Sequence, residues 1–479
     1  MPDEATGTEI LNLSQDFPPV PTAGWEAAIQ RDLKGADYQK KLVWRTDEGI
    51  PVRPYYRREN LDGLDGQLHA APAHFPFVRG SGKSWETHQE TDFPATAVRA
   101  DYLHDSGAHA VQELAYALAE GVERLENRAG ALGVDRAAGR VEFVYTVGSN
   151  YFFEIAKLRA ARMLWAQAVA AFGPESLDAC AVRLHVRTSR LNKSIYDRYT
   201  NLLRVTTEAM SAVIGGCDTL AVEPFGFSPH LAVSVQRVLR EESHLDAVAD
   251  PAGGSYYIEA LTDALARDAW KLFQAVEAEG GYSAALASGS IEKALAETRA
   301  ARRKAVSSRR RTLVGVNNYP NLNEKTPEAT ALPEFADAAF PALRLAEPFE
   351  KIRERTARHA ALTGRYPKVL LLKRGDLKMR MARANFSFNF LGCAGFDIVE
   401  AEEYAGVAAD LIVLCSSDPE YVALAQEVCA QVTVPVLVAG NPKDQIEALK
   451  QAGVQGFIHV MSDAVQTLSE WQTRLGMKE

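Results

Sequence analysis

Arg183, His185 and Arg187 alternate along the apolar run AVRLHVR, and at the strand period of two all three side chains face the same side. Two guanidiniums and an imidazole on one face of an apolar strand have the chemistry to hold an anion or to donate to a carbonyl oxygen. Arg190 follows in the loop and enlarges the cationic cluster. GSGKS at 80–84 suggests a phosphate loop, but a P-loop needs a glycine five positions before Gly82, where Phe77 stands. The basic run from Arg302 to Arg311 suits phosphate or an acidic partner, yet cations in the last turns of a helix are favoured by its dipole alone.

The elements around these residues read as alternating strands and helices. FFEIAKLRAARMLWAQAVAAF is a helix, AVRLHVR a strand, YTNLLRVTTEAMSAV a helix and DTLAVE a strand, which is the grammar of a barrel or a layered α/β fold. RVEFVYTV precedes them as a strand, and TAVRADYLHDSG reads as a strand ending at a functional loop before the helix AHAVQELAYALAEGVERL. Leu61 to Thr96 has little periodicity and reads as loop. Upstream, FPPVPTAGWEAAIQRDL supplies one short helix and LVWRTDEGIPVRPYY a hairpin turning at Gly49, neither of which can bury itself alone. Prolines 320, 327, 333, 341 and 348 predict an extended linker. Beyond it KVLLLK, FDIVE, ADLIVLC, VPVLVAG and GFIHV alternate with helical segments as a five-stranded doubly wound domain.

A chain of 479 residues exceeds one ordinary core, so two or three domains are expected. The formal charge of −9 and pI near 5.7 argue against nucleic acid or an acidic membrane as partner. Five scattered cysteines without a CxxC argue against a disulfide framework or a thiolate metal site. With no basic, apolar leader at the start and no run of about 18 apolar residues, a soluble cytoplasmic protein is expected.

FFEIAKLRAARMLWA, DPAGGSYYIEALTDALARDAW and LVGVNNYP resemble the barrel of the methylmalonyl-CoA mutase family, and the last domain resembles its cobalamin-binding domain. The N-terminal FPPVPTAGWEAAIQRDLKGADYQKKLVWRTDEGIPVRP is most similar to the small, non-catalytic subunit of the two-subunit bacterial mutases. The resemblance implies an α/β chain: a truncated (β/α) barrel, about the second half of a TIM-like barrel, followed by a flavodoxin-like domain. The expected divisions are an N-terminal interface arm at 1–70, the barrel at 71–320, a linker at 321–360 and the flavodoxin-like domain at 361–479. It also implies adenosylcobalamin chemistry, in which a radical moves a carbonyl-CoA group between neighbouring carbons of an acyl-CoA.

Against that pattern the chain departs in three places. The family's DxHxxG, whose histidine ligates cobalt, corresponds to KRGDLKMRMARANF: counted back from GFD, its Asp, His and Gly fall on Lys378, Arg380 and Arg383, whereas aligned on Asp376 its His falls on Lys378, and neither register holds a histidine. The family's catalytic-histidine segment is matched by ADYLHDSG, which makes Tyr102 and His104 the catalytic candidates; the family's QTSGW appears as RTSRL and its TQSLHTN as CDTLAVE. Between FPFVRG and TAVRAD about four βα units of roughly 30 residues are missing. Such a half sheet has two open edges and cannot enclose a substrate along its axis. Ser416, Ser417 and Gly440 match residues that meet the cofactor's tail in relatives, and serve equally as loop residues at strand ends.

Three readings follow. In the first, the chain is a non-catalytic subunit bound to a catalytic large subunit that carries the adenosylcobalamin and the acyl-CoA. In the second it is an active acyl-CoA mutase using Tyr102, His104, Arg183 and His185. In the third it is a scaffold holding an acyl-CoA or another anion on Arg183, Arg187 and Arg190.

Overall fold

The strand carrying Arg183, His185 and Arg187 lies at the centre of a parallel sheet in the computed structural model, which describes residues 15, 17–88, 93–94, 96–324 and 340–478. Its strands are β3 (Glu86–His88), β4 (Val98–Arg99), β5 (Glu142–Val147), β6 (Arg183–Thr188) and β7 (Thr219–Ala221), in the order β3-β7-β6-β5-β4; β1 (Trp44–Arg45) and β2 (Pro51–Val52) form a hairpin of their own. β5 and β6 pair over six residues, from Glu142 opposite Arg183 to Val147 opposite Thr188. Helices Ala110–Leu132, Tyr151–Ala171 and Arg198–Ile214 make the crossovers between successive strands from β4 to β7. Parallel strands need such connections, and the helices bury the sheet in return.

Helix Tyr151–Ala171 is buried on nearly every side, as an internal helix must be, and packs between Ala110–Leu132, Arg198–Ile214 and Tyr256–Ala278. Gly121 lets one neighbour approach: a Cβ there would come within 2.7 Å of the Phe143 ring and 3.0 Å of Trp165. Helix Ala110–Leu132 begins at a reciprocal cap, in which Gln112 N–H donates to the His109 ring and His109 N–H donates to the Gln112 side chain.

Two expectations for this layer are corrected. Part of the 61–96 stretch is ordered, with helix Asp65–Leu68 and with β3 pairing in parallel with β7, Glu86 opposite Thr219. Three residues carry no legible period, and β3 exists only because β7 offers it a ladder of donors and acceptors. TAVRADYLHDSG holds a strand of only two residues, after which Ala100–Asp105 is helical. Tyr102 and His104 therefore sit on a helix rather than a loop.

A second parallel sheet follows, formed by β8 (Lys368–Lys373), β9 (Asp397–Ala401), β10 (Leu411–Cys415), β11 (Val436–Ala439) and β12 (Gly456–Ile458) in the order β12-β11-β10-β8-β9. Leu370, Leu372, Ile412, Leu414 and Val438 face one core, while Val369, Leu371, Val413 and Leu437 face another. That second core continues into Leu191, Val306, Leu313, Leu343 and Leu345, so the two sheet layers share buried apolar surface. The stretch expected as extended linker contains helix Glu347–Thr363, with Pro348 in its first turn, where a missing N–H costs nothing. The prolines at 327 and 333 lie outside the described residues.

The chain divides into two compact units, Met1–Arg57 and Arg58–Glu479. In the first, helix Thr22–Asp32 and the antiparallel hairpin of β1 (Trp44–Arg45) and β2 (Pro51–Val52) form as expected, with Gly49 at positive φ in the turn. No residue of that helix is buried, and Phe17, Val20, Trp25, Leu42 and Trp44 are exposed.

Candidate functional site

On β6 the alternating face is built as the period predicts, and each of its three polar side chains is taken up by the chain itself. Arg183 is half-exposed and pairs with Glu86 of β3 at 2.6 Å. The His185 ring, buried, meets Thr219 Oγ1 at 2.8 Å through Nδ1 and Glu142 at 3.3 Å through Nε2, and burial lowers its pKa. Phe93 lies over that ring with centroids 5.6 Å apart and packs against Val144 and Ala221 of the flanking strands.

Arg187 is the most heavily committed of the three. Its Nε donates to Asp101 at 3.0 Å, a terminal nitrogen donates to Asp105, and another lies 3.6 Å from Glu223. Glu223 also pairs with Arg190, and Asp101 receives both Arg99 nitrogens at 2.8 and 2.7 Å. Burial pushes the Asp101 carboxyl up, but Arg187 and then Arg99 outweigh it and hold the carboxyl below the ordinary range. Burial likewise opposes charge on Arg187, and the carboxylates of Asp105, Glu223 and Asp101 overcome it. The cluster is charged and internally compensated. The arginines expected to meet an anion from outside meet carboxylates from inside.

Tyr102 lies beneath the Arg99 guanidinium, 4.1 Å from its ring centroid. His104 is buried with both ring nitrogens engaged: Nδ1 meets Glu113 at 2.7 Å and Nε2 meets Ser189 Oγ at 2.8 Å. Glu113 in turn receives Lys157 at 2.7 Å, and Lys157 donates further to Thr146 O and reaches Glu154 at 2.6 Å. Burial alone would raise the Glu113 carboxyl; Lys157 and then His104 bring it down to about 2. Serine, imidazole and carboxylate in this order have the connectivity of a nucleophile and its base. Ser189 is only 1% exposed, however, and its Oγ already accepts from Leu191 N–H at 3.1 Å, so no substrate atom can approach it. Glu113, Lys157 and Ser189 come from separate segments, and nothing in their spacing announced that they converge on His104.

In the second sheet the order of strands reverses between β8 and β10, and their carboxyl ends form the crevice where this topology binds ligands. Glu420 fills that crevice. Its carboxylate accepts from Ser416 Oγ at 2.7 Å, from Ser417 through both hydroxyl and N–H, and from Asp376 N–H at 3.3 Å. Those bonds, Ser417 first, hold its carboxyl down to about 2. Gly375, at φ +73°, has Glu420 against its open side, so that a Cβ there would collide with the carboxylate. Arg383 pairs with Asp418 at 3.1 Å and lies within 3.4 Å of where a Cβ on Gly440 would stand, while Arg380 pairs with Glu402.

These residues do not fit a cobalamin. The segment after β8 supplies no imidazole, Asp376 is spent as the cap of helix Leu377–Gly392 through a 2.8 Å bond from Met379 N–H, and Ser416, Ser417 and Gly440 face protein groups. Among the described residues no three His, Cys, Asp or Glu side chains are grouped to hold a metal ion.

Two parallel five-stranded sheets wrapped by helices, with a ligand crevice at the strand ends, define the class as α/β. Comparison with known proteins narrows it. The family model for methylmalonyl-CoA mutase matches residues 82–363, and the chain belongs to that family. It is 31% identical to the methylmalonyl-CoA mutase small subunit of Porphyromonas gingivalis, over 98% of this chain and 100% of the relative. That alignment runs to 622 positions against 479 residues here, so the relative carries residues without a counterpart in this chain. The small subunit of Streptomyces virginiae is 35% identical over 80% of this chain and 64% of its own length. For the probable small subunit of Mycobacterium tuberculosis the figures are 35%, 81% and 66%, so the chain spans about two thirds of the length of both.

Proposed function

We propose that this chain is the small, non-catalytic subunit of a methylmalonyl-CoA mutase and that it stabilises a catalytic large subunit. The observation that carries the reading is the inward face of β6, where Arg187 is neutralised by Asp101, Asp105 and Glu223 and His185 is covered by Phe93. A surface that has closed on itself offers an acyl-CoA nothing to bind. The relatives named as small subunits support the same reading, as does the absence of an imidazole after β8.

In this reading the first sheet is a truncated barrel, five strands of a TIM-like eight, and the second is a flavodoxin-like domain that keeps the form of a cobalamin-binding domain without the ligand. The domain divisions are 1–70, 71–320, 321–360 and 361–479. The 1–70 arm, with its unburied helix and exposed Trp25 and Trp44, lies against the large subunit. Adenosylcobalamin, which supplies the radical, and the acyl-CoA are both held by that partner in a cytoplasmic heterodimer. Nucleic acid and membrane take no part; among the described residues no helix is long and apolar enough to cross a bilayer.

Co-expression with a large subunit that carries an intact DxHxxG, followed by gel filtration and an isomerase assay, tests this. Co-elution and activity of the pair, with an inactive and colourless small chain alone, are expected. Isomerisation of methylmalonyl-CoA by the isolated chain overturns it.

A further inference from the structure

Helices Ala110–Leu132, Tyr151–Ala171 and Arg198–Ile214 carry the chain from β4 to β5, β6 and β7, strands that lie side by side in that order. Right-handed crossovers, the rule for parallel strands, set all their helices on the same face when each step goes to the next strand in one direction. The opposite face carries Val144, His185, Arg187, Thr219 and Ala221, which the registers bring side by side, and it receives no cover from these helices. A parallel sheet nevertheless needs both faces buried. In a closed barrel the far strands supply the cover as stacked layers of side chains. Here the sheet ends at β3 and β4.

Three layers along β6 take their place. At its start Arg183 meets Glu86 of β3, and near its end Arg187 meets Asp101 and Asp105 of the helix after β4. The middle layer is apolar and comes from the connection between β3 and β4. Phe93 is 5% exposed, joins Ala97, Val144 and Ala221 in one buried cluster, and has its ring 5.6 Å from that of His185 and 6.2 Å from that of His88. The groups around this one ring belong to β3, β5, β6 and β7. The edges are blunted as well: Arg240 donates to Trp85 O and lies 4.6 Å from its ring, Gln236 Nε2 donates to His88 O at 3.2 Å, and Arg124 donates to Thr96 O just before β4. Carbonyls taken by side chains are not free to pair with a further strand.

We propose that Phe93 is an internal plug that stands in for the strands which would close the barrel, so that the half barrel is finished within one chain and needs no strand or side chain from a partner to cover its inner face. The proposal takes the truncated barrel from the reading above but not the subunit assignment. A partner then docks on other surfaces, and the inner face stays closed to an acyl-CoA whether or not that partner is bound.

Hydrogen exchange of the full chain alone tests the closure. Amides of β5, β6 and β7 are expected to be as protected as those of β8 and β10; exchange about tenfold faster in the first set overturns the proposal, because the face is then bare without a partner. Thermal unfolding tests the plug. Phe93→Ala is expected to lower Tm by about 5 °C or more and, having left an apolar hole, to regain part of that loss in toluene, which leaves the native chain's Tm in place. An unchanged Tm, or toluene acting equally on both chains, overturns it. If Phe93→Ala does not accumulate, Phe93→Leu is read instead: a smaller loss of Tm supports the plug and no loss overturns it. None of these readouts is isomerase activity or partner binding, so their failure leaves the small-subunit proposal standing.

Discussion

Arg187 and Asp101 lie 3.0 Å apart with both side chains buried, one from the centre of β6 and the other from the short helix after β4. Asp105 and Glu223 complete the shell around the guanidinium, so its charge is balanced entirely from within the fold. Removing one member of a buried ionic group strands the others without water or partner, typically at a cost of about 3–5 kcal/mol. Arg187→Gln, which restores the residue type of the family's QTSGW, is expected to lower stability by that order in urea unfolding and to confer no isomerase activity. Unchanged stability would mean that the cluster is not closed as described.

Glu113 sets an acid limit. Its carboxyl lies at about 2 in the fold against 4.5 as a free group, so it takes up protons more readily once the chain unfolds. The sign follows from linkage: stability from this group is fully present above about 4.5 and is lost as pH falls from there towards about 2. Asp101, also lowered, adds to the slope in the same direction. Unfolding midpoints measured between pH 6 and 3 are expected to fall steeply at the acid end, and Glu113→Gln to flatten the fall while lowering stability at pH 7, since Lys157 loses one of its two carboxylates.

Cobalamin is expected to stay unbound by the isolated chain, with no corrin absorbance co-eluting in gel filtration. The stronger prediction concerns Lys378→His. Supplying an imidazole leaves Glu420 in the crevice and Arg383 paired over Gly440, so this variant too is expected to remain colourless. Corrin binding by Lys378→His alone would mean that only the ligand was missing.

Deleting residues 1–57 removes a compact unit with no buried residue in its main helix. The remaining chain is expected to unfold with a Tm within a few degrees of the full chain and to lose co-elution with the large subunit. An unaltered heterodimer on gel filtration counts against the arm as an interface.

What the residues determined by themselves was local and periodic. The period-two face of β6, the five apolar strands of the last domain, the hairpin at Gly49 and the missing histidine after β8 are properties of short windows, and all are found where the sequence places them. Tertiary structure decided what those faces meet. β3 is a strand only because β7 pairs with it, and Glu347–Thr363 is a helix with a buried face in a stretch whose prolines suggested extended chain. The candidate residues changed meaning for the same reason. Arg183, His185, Arg187 and His104 have types suited to binding, but their partners Glu86, Thr219, Asp101, Asp105, Glu113 and Ser189 arrive from distant segments. Charge and hydrogen-bonding capacity belong to a residue, whereas whether they are already spent depends on which groups folding brings within about 3 Å, and that distance is not written in the order of the chain.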